Sequence, residues 1–201
     1  KDVKIGVAWE DGSYGVTVRE GMMYGAKERG LQVVADEGYS VKSTDLSSVA
    51  LKLKAAKPDA ILAAAIGADA IVLCKALRDL DVNPKALVGA SGGFAVPGFA
   101  QNVGKASNGV FSSDLPTEVN PKALTPKSLA LRTEFLKRYH EMKGGQSPST
   151  NAWNSFCGTT LLLDDVLSKV KRLDPDEVRE AALSLDLPIG SLSNGMGAKF
   201  I

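Results

Sequence analysis

The sequence predicts an α/β fold in which a doubly wound, mostly parallel sheet is followed by helices belonging to a second lobe. Three observations carry this reading. Short apolar segments recur through the first half: Ile5-Gly6-Val7-Ala8-Trp9, Ala60-Ile61-Leu62-Ala63-Ala64 and Ala86-Leu87-Val88. Segments with apolar residues at helical spacing lie between them, which is the alternation of βαβ units whose sheet is covered on both faces. Past Leu115-Pro116 the strands stop and amphipathic helices follow one another.

Taken in order, residues 3–9 form the first strand and Glu10-Asp11-Gly12 turns the chain. Ser13 is placed to cap a helix that runs to about Arg29, with Val16, Met22, Met23 and Ala26 among its apolar positions and Gly30 as its stop. A strand over 31–35 centres on Val33-Val34, and Asp45 stands where an N-cap belongs. Leu46, Val49, Leu53 and Ala56 then keep helical spacing until Pro58. After the strand at 60–64, Ala70, Leu73, Leu77 and Leu80 mark a helix closed by Asn83-Pro84. A fourth strand at 86–88, a short helix over 96–103 behind Pro97 and a fifth strand at 109–113 complete the unit. Pro126 opens the next helix, whose stripe is Leu131, Phe135, Leu136, Tyr139 and Met142. One helix is expected from Asn151 to about Lys171, and another from Asp174-Pro175-Asp176 to near Leu185. These last helices need a surface that the first half has already used.

Composition removes several classes of function. The chain has 201 residues, 24 basic against 23 acidic, for a net charge of +1. The first hundred residues carry 12 of each sign, so no basic surface points to nucleic acid or to an anionic membrane. No run nears the roughly 20 apolar residues of a membrane helix. A lone histidine, His140, rules out a histidine-based triad or multi-histidine metal site within one copy. Cys74 and Cys157 are too few for a disulfide scaffold and read as small buried hydrophobes. The expectation is no metal, no cofactor and no catalytic residue. The chain opens without Met, directly on an apolar strand, and is expected to be a piece of a longer protein whose N-terminal part lies upstream.

Ligands of open α/β sheets sit at the carboxyl ends of the strands. Here those ends are the loops at 10–15, 65–69 and 89–94. Asp11-Gly12-Ser13-Tyr14-Gly15 holds only a fragment of a dinucleotide fingerprint, and there is no Gly-Lys-Ser/Thr, so a nucleotide cradle does not fit. Tyr14 reads as a pocket wall, with loop packing as the alternative. Gly89-Ala90-Ser91-Gly92-Gly93-Phe94 brings a hydroxyl and a ring to the same edge, although a plain turn has equal claim from spacing alone. Asp164-Asp165 lies in a helix and reads as solvated, and Glu10-Asp11 as a turn. Trp153 reads as core, with a pocket wall as the alternative.

With these loops placed, the chain resembles the branched-chain amino-acid (Leu/Ile/Val) type of periplasmic solute-binding protein, of the type I fold. The segments that carry the resemblance are residues 7–15, Thr44-Asp45-Leu46-Ser47, residues 53–60, Gly67-Ala68-Asp69-Ala70, Val88-Gly89-Ala90-Ser91-Gly92-Gly93, Asn108-Gly109-Val110 and Pro148-Ser149. The resemblance implies two α/β lobes that close on a solute for an ABC importer in the periplasm. Residues 1–115 would be a nearly complete ligand-binding lobe and 116–188 the helices covering the other lobe. Residues 189–201 would begin the passage back. It implies binding positions at Ser13, Tyr14, Ile66, Gly67, Ser91, Gly92, Phe94, Asn151 and Trp153. Amino-acid binders of this kind often carry a tyrosine where Ile66 stands and an acidic residue where Ser91 stands. The implied partners are a small amino acid or organic or aromatic acid and the ABC membrane subunits, with no nucleic acid and no membrane insertion. A ligand-sensing regulatory or receptor domain of the same fold is the alternative.

Overall fold

A computed structural model of the chain describes residues 3–90, 92–96, 98–115 and 117–201. The chain divides into two compact units, Lys1–Leu115 and Pro116–Ile201. The first holds strands β1 (Lys4–Glu10), β2 (Gln32–Tyr39), β3 (Ala60–Ala64), β4 (Ala86–Ala90) and β5 (Val110–Ser113). Its helices are α1 (Ser13–Glu28), α2 (Ser47–Ala56), α3 (Ala68–Asp79) and the short α4 (Phe99–Val103). The strands line up as β2-β1-β3-β4-β5, every neighbour parallel. This is the doubly wound parallel sheet that the sequence predicts. The chain runs one way from β1 to β2 and the other way from β3 to β5. Right-handed crossovers therefore put α1 on one face and α2, α3 and α4 on the other.

The α2–α3 face carries the core. Ile61, Ala63 and Leu87 from the sheet meet Val49, Leu53, Leu73 and Leu77 from the helices, all of them buried. Each such Leu contributes about 1.5–3 kcal/mol by leaving water. Gly6 sits in this layer because a Cβ there would lie 2.8 Å from the Leu53 Cδ2. On the other face, α1 is tied to the edge strand. The Arg19 guanidinium pairs with the Asp36 carboxylate, and the Trp9 Nε1–H donates to the same carboxylate at 2.9 Å. Asp36 is thereby held below the usual carboxylate range, chiefly by the Arg19 hydrogen bond.

Two local expectations are corrected here. Ser13 is the first helical residue of α1, with Gly12 at the N-cap and no cap hydrogen bond from the side chain of either. The Glu10 side chain fills that role instead, from the end of β1. Val16 is 37% exposed, so the packed side of α1 runs through Gly15, Arg19, Met22 and Ala26. Asp45 acts close to its expected place, accepting the Ser47 N–H at 2.8 Å just ahead of α2. Pro97 and Ser91 lie outside the described residues.

The second unit contains α5 (Pro126–Met142), α6 (Thr150–Thr160), α7 (Pro175–Leu183) and a small antiparallel pair, β6 (Asp186–Leu187) and β7 (Ala198–Lys199). Side-chain caps start all three helices, from Thr125, Ser149 and Asp174. The single helix expected to Lys171 is divided. After Thr160 it widens into a π-helical turn over Leu161–Val166 and tightens into a 3-10 turn over Leu167–Lys169. The buried residues of α5 are polar, Ser128 and Arg132, while Met142 of the expected stripe is 77% exposed. No helix among the described residues is long and apolar enough to cross a membrane.

Candidate functional site

The three loops at the carboxyl edge of the first unit are tied together by hydrogen bonds. Where β1 ends, Glu10 is only 2% exposed. Its carboxylate accepts the Gly12 N–H and the Gly15 N–H, both at 2.6 Å, and so satisfies the donors at the start of α1. Tyr14, next in the same turn, lies across the edge and its hydroxyl donates to the Ala90 carbonyl at the end of β4, at 2.6 Å. The loops after β1 and β4 are thereby joined through one side chain.

The loop after β3 has its own internal carboxylate. Asp69, in the first turn of α3, accepts the Gly67 N–H through Oδ1 at 2.7 Å and the Tyr39 hydroxyl through Oδ2 at 3.0 Å. The next loop lies directly on it, since the Gly93 N–H donates to the Ala65 carbonyl at 2.9 Å. Gly92 has φ +51, and a Cβ there would stand 2.6 Å from the same Ala65 oxygen. Only glycine meets both demands.

Burial, followed by the neighbouring Asp69 carboxylate, pushes the Tyr39 phenol well above its ordinary range. A phenol whose pKa rises on folding contributes stability that is complete below about pH 10 and is lost as the pH rises past that value, where the unfolded chain ionises first. Between about pH 9 and 11 the urea midpoint of the wild-type protein should therefore fall more steeply than that of Tyr39→Phe. Parallel curves for the two proteins would remove this role from Tyr39.

The nine positions expected at the site separate into groups. Tyr14, Gly67 and Gly92 are half-buried at the carboxyl edge, with Ser13 and Ile66 exposed there, Ile66 by 52%. Phe94 turns inward instead: it is 5% exposed, packs beside Phe99 and fills the space over Gly89. Trp153 is likewise core, 2% exposed, with the Arg132 guanidinium 4.1 Å from its ring centroid and Phe135 at 4.7 Å. Asn151 is exposed in the first turn of α6. Ser91 falls outside the described residues. Sequence reasoning missed Glu10 and Asp69 as organisers of the edge. The available signal was a carboxylate placed just ahead of, or inside, a helical first turn and two residues from a glycine.

Two cavities lie away from this edge. One of about 300 Å³ lies at the opposite end of the sheet, between Leu53, Pro58, Val82 and Pro84. Another of about 410 Å³ lies in the second unit, lined by Val119, Ile189, Asn194 and Met196.

The family model described as periplasmic binding protein matches residues 1–199. The chain belongs to the periplasmic binding protein family. This is a family of solute-binding proteins rather than enzymes. Along its full length this periplasmic binding protein chain is 30% identical to the Leu/Ile/Val-binding protein homolog 8 of Brucella abortus. It is also 30% identical over 200 residues to homolog 7 of Brucella suis. It spans 49% of the length of each of these relatives. An extracellular ligand-binding receptor from Rhodopseudomonas palustris superposes with a TM-score of 0.80 at 26% identity, over 98% of this chain and 56% of that one. A leucine-binding protein of Thermotoga maritima shares the fold, with a TM-score of 0.77 at 18% identity, over 96% of this chain and 52% of that one.

Proposed function

We propose that this protein is the extracytoplasmic receptor of an ABC-type importer, which captures a small amino acid or a small organic or aromatic acid between two lobes. Residues 1–115 supply one wall, with Tyr14, Ile66, Gly67 and Gly92 at the ligand. The helices of 116–188 belong to the lobe that supplies the other wall, where Asn151 is the candidate contact. Hinge closure buries the solute, no bond is made or broken, and the loaded form docks on the membrane subunits in the periplasm. The observation that carries this reading is the family match over residues 1–199. The open carboxyl edge of the sheet, with its loops already cross-tied, supports it.

Ser91 narrows the ligand. A neutral hydroxyl lacks the charge-assisted bond that an ammonium group favours. An acid or an amide suits it better than a simple amino acid. Thermal-shift screening and calorimetry on the full-length protein test the proposal, using amino acids in one set and small aliphatic and aromatic acids in the other. Binding by the second set is expected. Tight leucine binding that depends on Ser91 would overturn the assignment, and turnover of a bound compound would overturn the receptor reading itself. Ser91→Asp should then gain about tenfold in affinity for leucine and lose at least as much for an acid, a change of about 1.4 kcal/mol each way.

A further inference from the structure

Helices α1, α2 and α3 all start at the carboxyl edge of the sheet in residues 1–115. A helix start carries partial positive charge and backbone N–H groups that no carbonyl of the helix meets. Such a start ordinarily receives an anion. Here each one already holds a carboxylate of its own chain. Glu10 accepts the Gly12 and Gly15 N–H groups at α1, Asp45 the Ser47 N–H at α2, and Asp69 the Gly67 N–H at α3.

Two of these carboxylates lie beneath the candidate site. Glu10 is 2% exposed and Asp69 4%, whereas Asp45 stands in solvent. Among the described residues neither buried carboxylate is paired with a cation; their partners are backbone N–H groups and the Tyr39 hydroxyl. The Tyr39 phenol, raised first by burial, is raised further by Asp69 and then by Glu10, so both charges act on one region. The loops at 11–12, 40–46, 65–67 and 91–98 hold a single basic residue, Lys42, exposed after the outermost strand β2. Tyr14 points the other way, to β4.

We propose that Glu10 and Asp69 are specificity-determining residues, which fill the starts of α1 and α3 from within and so make this wall refuse negative charge. The ligand then carries a single acid group, held away from these helix starts, and dicarboxylates are excluded. This rests on the receptor reading above and narrows its ligand class. A second carboxylate set against Tyr14 and Gly67 would lose its water and meet two like charges instead of a cation, which is strongly unfavourable. A ring, an alkyl chain or an amide meets no such obstacle, because Ile66, Tyr14 and the glycine backbone offer apolar contact and neutral hydrogen-bonding groups.

The test is calorimetry at neutral pH on full-length protein, with diacids set against monoamides of equal size: terephthalate with its monoamide, and adipate with its monoamide. The monoamide should bind about tenfold more tightly or better, since like charges brought together suppress a wrong partner. In Asp69→Asn the amide oxygen can keep the Gly67 N–H while the charge is gone, and the preference should shrink about threefold or more. Asp45→Asn removes the same charge from an exposed cap and should leave the preference unchanged. A preference that persists in Asp69→Asn, or shrinks equally in Asp45→Asn, would overturn the role given to the buried carboxylates. A diacid that binds wild type as tightly as its monoamide would overturn the inference and leave the acid reading standing. Binding by no acid of either kind would overturn the acid reading, and this inference with it.

Discussion

Gly15→Ala is expected to destabilise the first unit by at least about 3 kcal/mol, the upper range for overpacking a close-fitting site. The added Cβ would lie 1.9 Å from the Glu10 carbonyl oxygen and 2.9 Å from the Glu10 Cδ. Neither neighbour can yield cheaply. The carbonyl belongs to the last residue of β1, and the carboxylate is held by the Gly12 and Gly15 N–H groups. Relief requires α1 to lift from the strand end, which breaks both bonds and draws Tyr14 away from Ala90. Urea unfolding should show the loss, and ligand affinity should fall with it under the proposed function, which places Tyr14 of the same turn at the ligand. Wild-type stability in Gly15→Ala would mean that the close approach of α1 to Glu10 is not a requirement of the fold.

Arg132→Met should cost the second unit about 3 kcal/mol or more. The guanidinium is buried, donating from Nη1 to the Ser193 carbonyl at 3.1 Å and from Nη2 to the Thr117 carbonyl at 2.6 Å. Methionine keeps much of the volume and removes both donors, and a buried acceptor left unpaired costs about 1–3 kcal/mol. The stacking of a desolvated cation on Trp153 adds up to about 2 kcal/mol. Glu118, its nearest carboxylate at 3.9 Å, has a side chain 96% exposed and offsets little. Arg132→Lys should be intermediate, since one ammonium cannot span the two carbonyls. A denaturation midpoint for Arg132→Met within error of the wild-type value would sink this account.

The strand and helix order of the first unit was legible because each element announces its period and its punctuation. Residues 60–64 are apolar without interruption, Pro58 and Pro84 stop the preceding segments, and Gly30 ends α1 at φ +62. What was not legible is the work done by single polar side chains at long range. Glu10 reads locally as a turn residue, and only the folded chain shows its carboxylate turned back under α1. Trp153 and Phe94 share the composition of a pocket wall, and which side of the backbone they occupy is decided by tertiary packing. In α5 the apolar stripe was the stronger periodic signal. Yet Ser128 and Arg132 are buried, because the carbonyls of Ser191, Ser193 and Thr117 need donors. The break in α6 after Thr160 has no proline, and Gly158, two residues ahead of it, is its one local mark.

For the receptor proposed above, the ties among the edge loops bear on how tightly a solute can be held. Tyr14 to Ala90, Gly93 to Ala65 and Asp69 to Gly67 fix the wall before anything arrives. Ordering a mobile side chain during association costs about 0.5–1.5 kcal/mol each time. A preorganised wall settles that entropy at folding, so less of the contact energy is spent on ordering this side of the cleft when the solute arrives.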